Sequence, residues 1–425
     1  MRTSLLAILA LSSLAAAACS STSDTPSPDR PSPLLSNEVT LLDFEFDGEL
    51  IASDGDAAKR KVTAQLFYLV GVLNPDNANA RISFAELSRT ETSPAGDLTL
   101  LKYHAKIPVA WPKNKTIPAS YALNLPRRMD EAGQSAFYDK YNKDCKGDED
   151  EGREDYWHDW RPLNADCKLD AADVVTAAAK VTKSAHNTEV AYPEYDKVWS
   201  DGVLTVVTVF GKDSLGATSN SDIGIQEYNE FIASMRRAIP GVKTTPATVA
   251  VDPGATIPDV TLEGTLEDGG KVKAVAILVD NARTAGAAFE TRFADVTKDA
   301  DFVGYSGHSG LSRNTNAVAK LGTMTKGQYQ IWFFNGCNSY AYLDQTLFTR
   351  RAAVNAPNDP EGTKNMDVVG NVLPAFFGTI ARSDVVLIKA LMDRAHPKSY
   401  GDIFKDIPTD QEVVVEGEED NTFKP

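Results

Sequence analysis

The sequence predicts two domains of different class. Residues 38–195 read as a β-rich, sandwich-like module, and residues 196–425 as an α/β domain with a mostly parallel sheet and helices on both faces. Two patterns carry this reading. From Glu38 to Pro126, short stretches of strand type recur between Pro, Asn, Asp and Gly, the spacing of an all-β module. After Ser200 the runs become continuously apolar and alternate with helical periodicity, which implies strands covered on both faces and β-α-β connections.

Ahead of both domains, Arg2 precedes an apolar run from Leu5 to Ala18, and Cys19 follows. The run is too short to span a membrane and reads as an export signal over residues 1–18. The stretch Leu14-Ala15-Ala16-Ala17-Ala18-Cys19 resembles a bacterial lipoprotein signal. That resemblance implies lipid on Cys19, a membrane contact through that lipid and, with Ser20 in place of Asp after the cysteine, the outer membrane. Ala16 stands where the family usually has Leu, so ordinary cleavage, giving a periplasmic or secreted chain, is the alternative. Residues 19–37, rich in Ser, Pro and Asp after the cysteine, read as a tether.

Within the first domain, Phe44 and Phe46 alternate with Asp43, Glu45 and Asp47, predicting a half-buried strand that ends at Gly48. Val62–Leu73 reads as a long β-type run. Ile82–Leu87, Leu98–Val109 and Ser120–Leu125 follow as further strands. Then the composition changes. Asp144 to Asp155 (DCKGDEDEGRED) is dense in carboxylates and is followed by Tyr156, Trp157, His158 and Trp160. Clustered carboxylates suit calcium, but the spacing is not that of an EF-hand. The stretch reads as a solvated loop pinned by a Cys145–Cys167 disulfide, consistent with an exported chain. With Cys19 lipidated, Cys337 is left as an unpaired thiol.

In the second domain, VLTVVTVF (Val203–Phe210) is the first buried strand. Ile225, Tyr228, Ile232, Met235 and Ile239 recur at helical spacing until Pro240-Gly241. Residues 245–270 contain a hairpin turned at Asp268-Gly269-Gly270. AVAILV (Ala274–Val279), Phe302–Tyr305 and YQIWFF (Tyr329–Phe334) are further strands. Thr284–Asp295 and Val385–Met392 are helices. The final VVVEGEEDN (413–421) is a strand running into carboxylates, read as a solvated tail.

In open α/β sheets, sites form outside the carboxyl ends of the strands. Two such ends carry unusual residues: Gly307-His308-Ser309-Gly310 and Asn335-Gly336-Cys337-Asn338-Ser339. A cysteine and a histidine on neighbouring strand ends make a nucleophile–base pair, because the thiolate is the attacking species and imidazole can take the thiol proton. Backbone N–H groups beside the glycines are suited to an oxyanion. Asp280 and Asn281 end another strand and are candidates to orient His308.

The motifs YSGHSG and FFNGCNS, in this order and each after an apolar strand, resemble the caspase-like cysteine peptidases: caspases, legumains, separases, gingipains and bacterial relatives. The resemblance covers roughly residues 200–400. It implies His308 as base and Cys337 as nucleophile. It also implies an oxyanion site of N–H groups near Ser309, Gly310 and Cys337, and a protein or peptide substrate. Ser309 departs from it, since the family usually has glycine directly after the histidine. A catalytically inactive surface lipoprotein, binding a protein or polysaccharide, is the alternative. An α/β-hydrolase elbow on Ser309 is weaker: Leu311 replaces the last glycine of G-x-S-x-G, and the only later histidine is His396. His104, His158 and His186 lack partners at metal-ligand spacing, so no zinc site and no cofactor is expected. A net charge of −16 argues against nucleic acid as a partner.

Overall fold

The computed structural model describes residues 33–148, 152–417 and 420–425. The export signal, Cys19 and most of the tether therefore lie outside the described residues. The tether was expected to reach residue 37. Instead Leu34–Leu35 form a buried edge strand paired with Val415 and Glu416, and Ser36 Oγ donates to the Val413 carbonyl at 2.8 Å. Two leucines in a polar segment bury against the last strand because that strand's outer edge would otherwise leave its backbone groups unpaired.

The N-terminal domain is a single curled antiparallel sheet of six strands, not two facing sheets. Its order is Asn79–Ala80, Leu98–Pro112, Val39–Ala52, Val174–Lys183 and Ser120–Pro126, with Glu86–Ala95 also paired to Leu98–Pro112. A helix, Gly55–Leu73, covers the face that a second sheet was expected to cover. This corrects the reading of Val62–Leu73 as a strand. Asp54 caps the helix by accepting from Ala57 N at 2.7 Å, and Ala58, Val62, Leu66, Leu69 and Leu73 form one buried stripe. The stripe begins upstream of the run that looked β-like, so its helical period shows only over the longer window. The Phe44/Phe46 strand does alternate as expected but continues through Gly48 to Ala52. The Tyr103 ring lies where a Cβ at Gly48 would sit.

The C-terminal domain is α/β, built on a nine-stranded mixed sheet. Five central strands run parallel, in the order Lys271–Val279, Val203–Gly211, Phe302–Ser306, Gln330–Asn335 and Met366–Asn371. Asp259–Thr265 and Lys243–Thr245 extend one side and Val413–Glu416 and Leu34–Leu35 the other, all antiparallel. Successive strand residues feed opposite cores. Phe302, Ile331 and Phe333 face the helices Ile223–Ala238 and Ile380–Met392. Val303, Tyr305, Trp332 and Phe334 face Gly286–Thr297, Arg313–Lys320 and Thr346–Asn355. Helices on both faces explain why the sequence shows unbroken apolar runs here. No helix among the described residues is long and apolar enough to cross a membrane.

The two domains share buried contacts. Arg81 pairs with Glu416 at 2.9 Å and also donates to the Tyr340 and Leu343 carbonyls at 2.5 and 2.8 Å. Glu416 was expected in a solvated tail; it is instead a buried partner for Arg81. Breaking one partner of such a pair costs roughly 3–5 kcal/mol, because the other charge stays buried.

Candidate active site

Phe302–Ser306 and Gln330–Asn335 are adjacent parallel strands, with Ser306 opposite Asn335. His308 and Cys337 each stand two residues beyond that pair, so the sheet delivers both to the same edge. The loops touch directly: a Cβ on Gly336 would sit 2.6 Å from the Gly307 carbonyl oxygen. Glycine at 336 therefore sets how close the two strand ends come. Gly307 N–H donates to the Asn335 carbonyl at 3.2 Å, extending the ladder one step.

The His308 backbone is fixed while its side chain is half exposed. Its carbonyl accepts from Tyr305 Oη at 2.7 Å and from Asn314 Nδ2 at 2.9 Å. The ring is 51 % exposed, its Nε2 lies 3.2 Å from Asp213 Oδ1, and Phe377 packs edge-on at 4.9 Å. A carboxylate on Nε2 favours the tautomer with the proton there, which leaves Nδ1 as the nitrogen with a free lone pair.

Asp213 was not anticipated. It lies just beyond Val203–Gly211, the neighbour of the His308 strand. Asp222 holds it in place. Its carboxylate accepts from Asp213 N at 3.2 Å and Ser214 N at 2.8 Å while also capping the helix Ile223–Ala238 through Ile225 N at 3.0 Å. Asp280 and Asn281, the earlier candidates, are engaged elsewhere. Asp280 pairs with Lys212 at 2.7 Å, which holds its carboxyl below the usual range, and Asn281 caps its own turn through Thr284. The register puts Val279 opposite Gly211, so the strand ending in Asp280 is one strand further from His308 than the one ending near Asp213. The available signal was the acid in GKDS directly after a buried run.

Cys337 is a partly buried thiol outside the disulfide. Its Sγ donates to the Ala375 carbonyl at 3.7 Å, within a third loop after Met366–Asn371, a strand the sequence reading did not find. The same loop supplies Phe377 against His308 and Phe376, which is 58 % exposed. Asn338, next to the thiol, is buried with a left-handed backbone at φ 51°, and its N–H donates to the Leu373 carbonyl at 3.1 Å.

Ser309, which stands where glycine was expected, is buried, and its Oγ donates to the Cys337 carbonyl at 2.6 Å. The hydroxyl thus ties the two loops together. Among the described residues, the Ser309 and Gly310 N–H groups have no protein acceptor. Below the pair, Asp384 on the helix Ile380–Met392 accepts from Ser306 Oγ at 2.6 Å and Asn335 Nδ2 at 3.4 Å. Burial lifts its carboxyl to about 7.

The predicted disulfide Cys145–Cys167 is present. Asp155, at the end of the acidic loop, forms a two-oxygen pair with Arg313 at 2.9 and 2.7 Å. Residues 149–151 lie outside the described residues.

Comparison with family models, curated proteins and solved structures finds no match to this chain.

Proposed function

We propose that this chain is an exported cysteine peptidase of caspase-like architecture that hydrolyses peptide bonds with Cys337 and His308. The observation that carries the reading is the placement of the two side chains at equivalent positions beyond adjacent parallel strands, with the loops in contact at Gly307 and Gly336. The exposed Asp213–His308 pair adds to it. The Cys337 thiol gives its proton to His308 Nδ1, and the thiolate attacks the scissile carbonyl carbon. Asp213 holds the imidazole through Nε2. The Ser309, Gly310 and Cys337 N–H groups receive the oxyanion. Collapse breaks the C–N bond as His308 protonates the leaving amine. Water, deprotonated by His308, then hydrolyses the thioester.

In this reading Ser309 is a clamp and not a nucleophile, since its hydroxyl is buried and donates to a carbonyl. Lipid on Cys19 would anchor the chain in the outer membrane, with protein or peptide as substrate and no cofactor. One observation favours the alternative of a non-catalytic surface lipoprotein binding a protein or polysaccharide. The thiol donates to Ala375, and the peptidase reading needs it to turn to His308.

The test is iodoacetamide labelling of Cys337 across pH, with and without His308→Ala, alongside casein hydrolysis. The peptidase reading expects fast labelling below the pH range of a free thiol. It also expects His308→Ala to lose roughly 10²- to 10⁴-fold in hydrolysis and Cys337→Ala to abolish it. Labelling no faster than a free thiol, and indifferent to His308→Ala, sinks it. Fatty-acid incorporation that persists in Cys19→Ser refutes the lipid assignment.

A further inference from the structure

We infer that Asp155, Trp157 and His158, in the part of the N-terminal domain closed by the Cys145–Cys167 disulfide, are a working part of the active site, positioning His308 and Cys337 through the residues that follow each. The inference rests on the proposal that these two residues form the catalytic pair.

The segment is internally braced. Arg161 N–H and Tyr156 Oη both donate to the Cys145 carbonyl, at 2.9 and 3.1 Å, and Gly147 N–H donates to the Asp159 carbonyl at 2.8 Å. Tyr156 and Trp160 pack into an aromatic cluster with Phe137 and Tyr141. The disulfide closes this unit, leaving Asp155, Trp157 and His158 directed at the other domain.

On the histidine side, Leu311 and Ser312 have left-handed backbones at φ 49° and 83°. Two consecutive non-glycine residues in that region persist only where their surroundings hold them. Here Leu311 packs against the N-terminal core, and Arg313, two residues on, is gripped by Asp155, whose side chain is only 16 % exposed. Asn314 then donates back to the His308 carbonyl at 2.9 Å. The path from Asp155 to His308 is thus the ion pair to Arg313, the adjacent Asn314 and one hydrogen bond.

On the cysteine side, Asn338 Nδ2 lies 3.5 Å from His158 Nε2 and 3.3 Å from Tyr342 Oη. Ala341 and Tyr342 belong to the N-terminal core, and the Trp157 ring meets Tyr342 edge-on at 5.8 Å. Both site loops therefore leave the parallel sheet and pack against the other domain. The sheet fixes the strand ends, and the N-terminal domain fixes the loops beyond them.

The test uses the full oxidised chain carrying Asp155→Asn, and separately Cys145→Ser with Cys167→Ser. Asp155→Asn keeps the disulfide and both cores, so the test survives if the double serine variant fails to fold. The readouts are the iodoacetamide rate of Cys337 from pH 5 to 9, casein hydrolysis with kcat and KM separated, and thermal unfolding. Asp155→Asn is expected to unfold close to the wild-type temperature, to lower kcat about tenfold with KM little changed, and to move the labelling profile toward that of a free thiol. The serine pair should do the same more strongly. A fast wild-type reaction that depends on His308 but has the same pH profile in Asp155→Asn overturns this inference and leaves the peptidase reading intact. A wild-type rate no faster than a free thiol, indifferent to His308→Ala, overturns both.

Discussion

The two ends of the parallel sheet use acids differently. At the amino end Asp367 is fully buried between the Tyr329 and Tyr400 hydroxyls, at 2.5 and 2.7 Å, and burial lifts its carboxyl to about 6. Asp301 at the same end accepts from Thr205 N at 2.7 Å and is lifted to about 8. These groups are enclosed and bonded, with no route to a substrate. At the carboxyl end one acid, Asp384, is enclosed in the same way. A second, Asp213, stays 43 % exposed against a half-exposed histidine. Burial of an acid alone therefore does not mark a site. What sets the His308 end apart is an ionisable side chain left partly open while the backbone around it is tied down.

That contrast can be tested, beginning with the largest effect. Asp384 has a folded-state value of about 7 against an ordinary 3.8, so the native state holds its proton across that interval. The stability tied to this proton is complete below about pH 4 and is lost as pH rises through about 7. Asp384→Asn should therefore gain stability relative to wild type by a few kcal/mol between pH 5 and pH 8, read from urea midpoints at the two pH values. An unchanged slope would place the carboxyl in a wetter setting than its contacts imply. Next, Asp213→Ala should slow Cys337 labelling and casein hydrolysis about tenfold, the worth of one charge-assisted hydrogen bond between partly exposed groups. A loss as large as that of His308→Ala would mean that Asp213 does more than orient. The smallest effect is expected at the amino end. Asp367→Asn should leave the labelling rate of Cys337 unchanged while shifting unfolding, and a change in that rate would break the contrast between the two ends.

Parts of this arrangement were legible in sequence. VLTVVTVF, AVAILV and YQIWFF are strands because both faces are covered, and each appears within a residue or a few of where the runs place it. The residues Gly307, His308, Gly336 and Cys337 were also legible, since strand ends with small residues are where a side chain can be presented. Other elements were hidden. MDVVGN (Met366–Asn371) is a central strand with only three apolar side chains, too short a run to stand out. Gly55–Leu73 shows β-branched and aromatic residues in its second half, which hid its helical stripe.

The sequence by itself determined the α/β class of the second domain, the His308 and Cys337 strand ends, and the Cys145–Cys167 disulfide. These follow from periodicity and counting, which are local properties of the chain. Tertiary structure alone decided that Asp213, 95 positions before His308, and not Asp280, reaches the imidazole. It likewise decided that Ser309 clamps the Cys337 carbonyl and that Asp155 holds the helix after His308. Those pairings depend on which strands become neighbours and how two domains dock. Such long-range choices are made by the packing of whole faces, and no short window of residues encodes them.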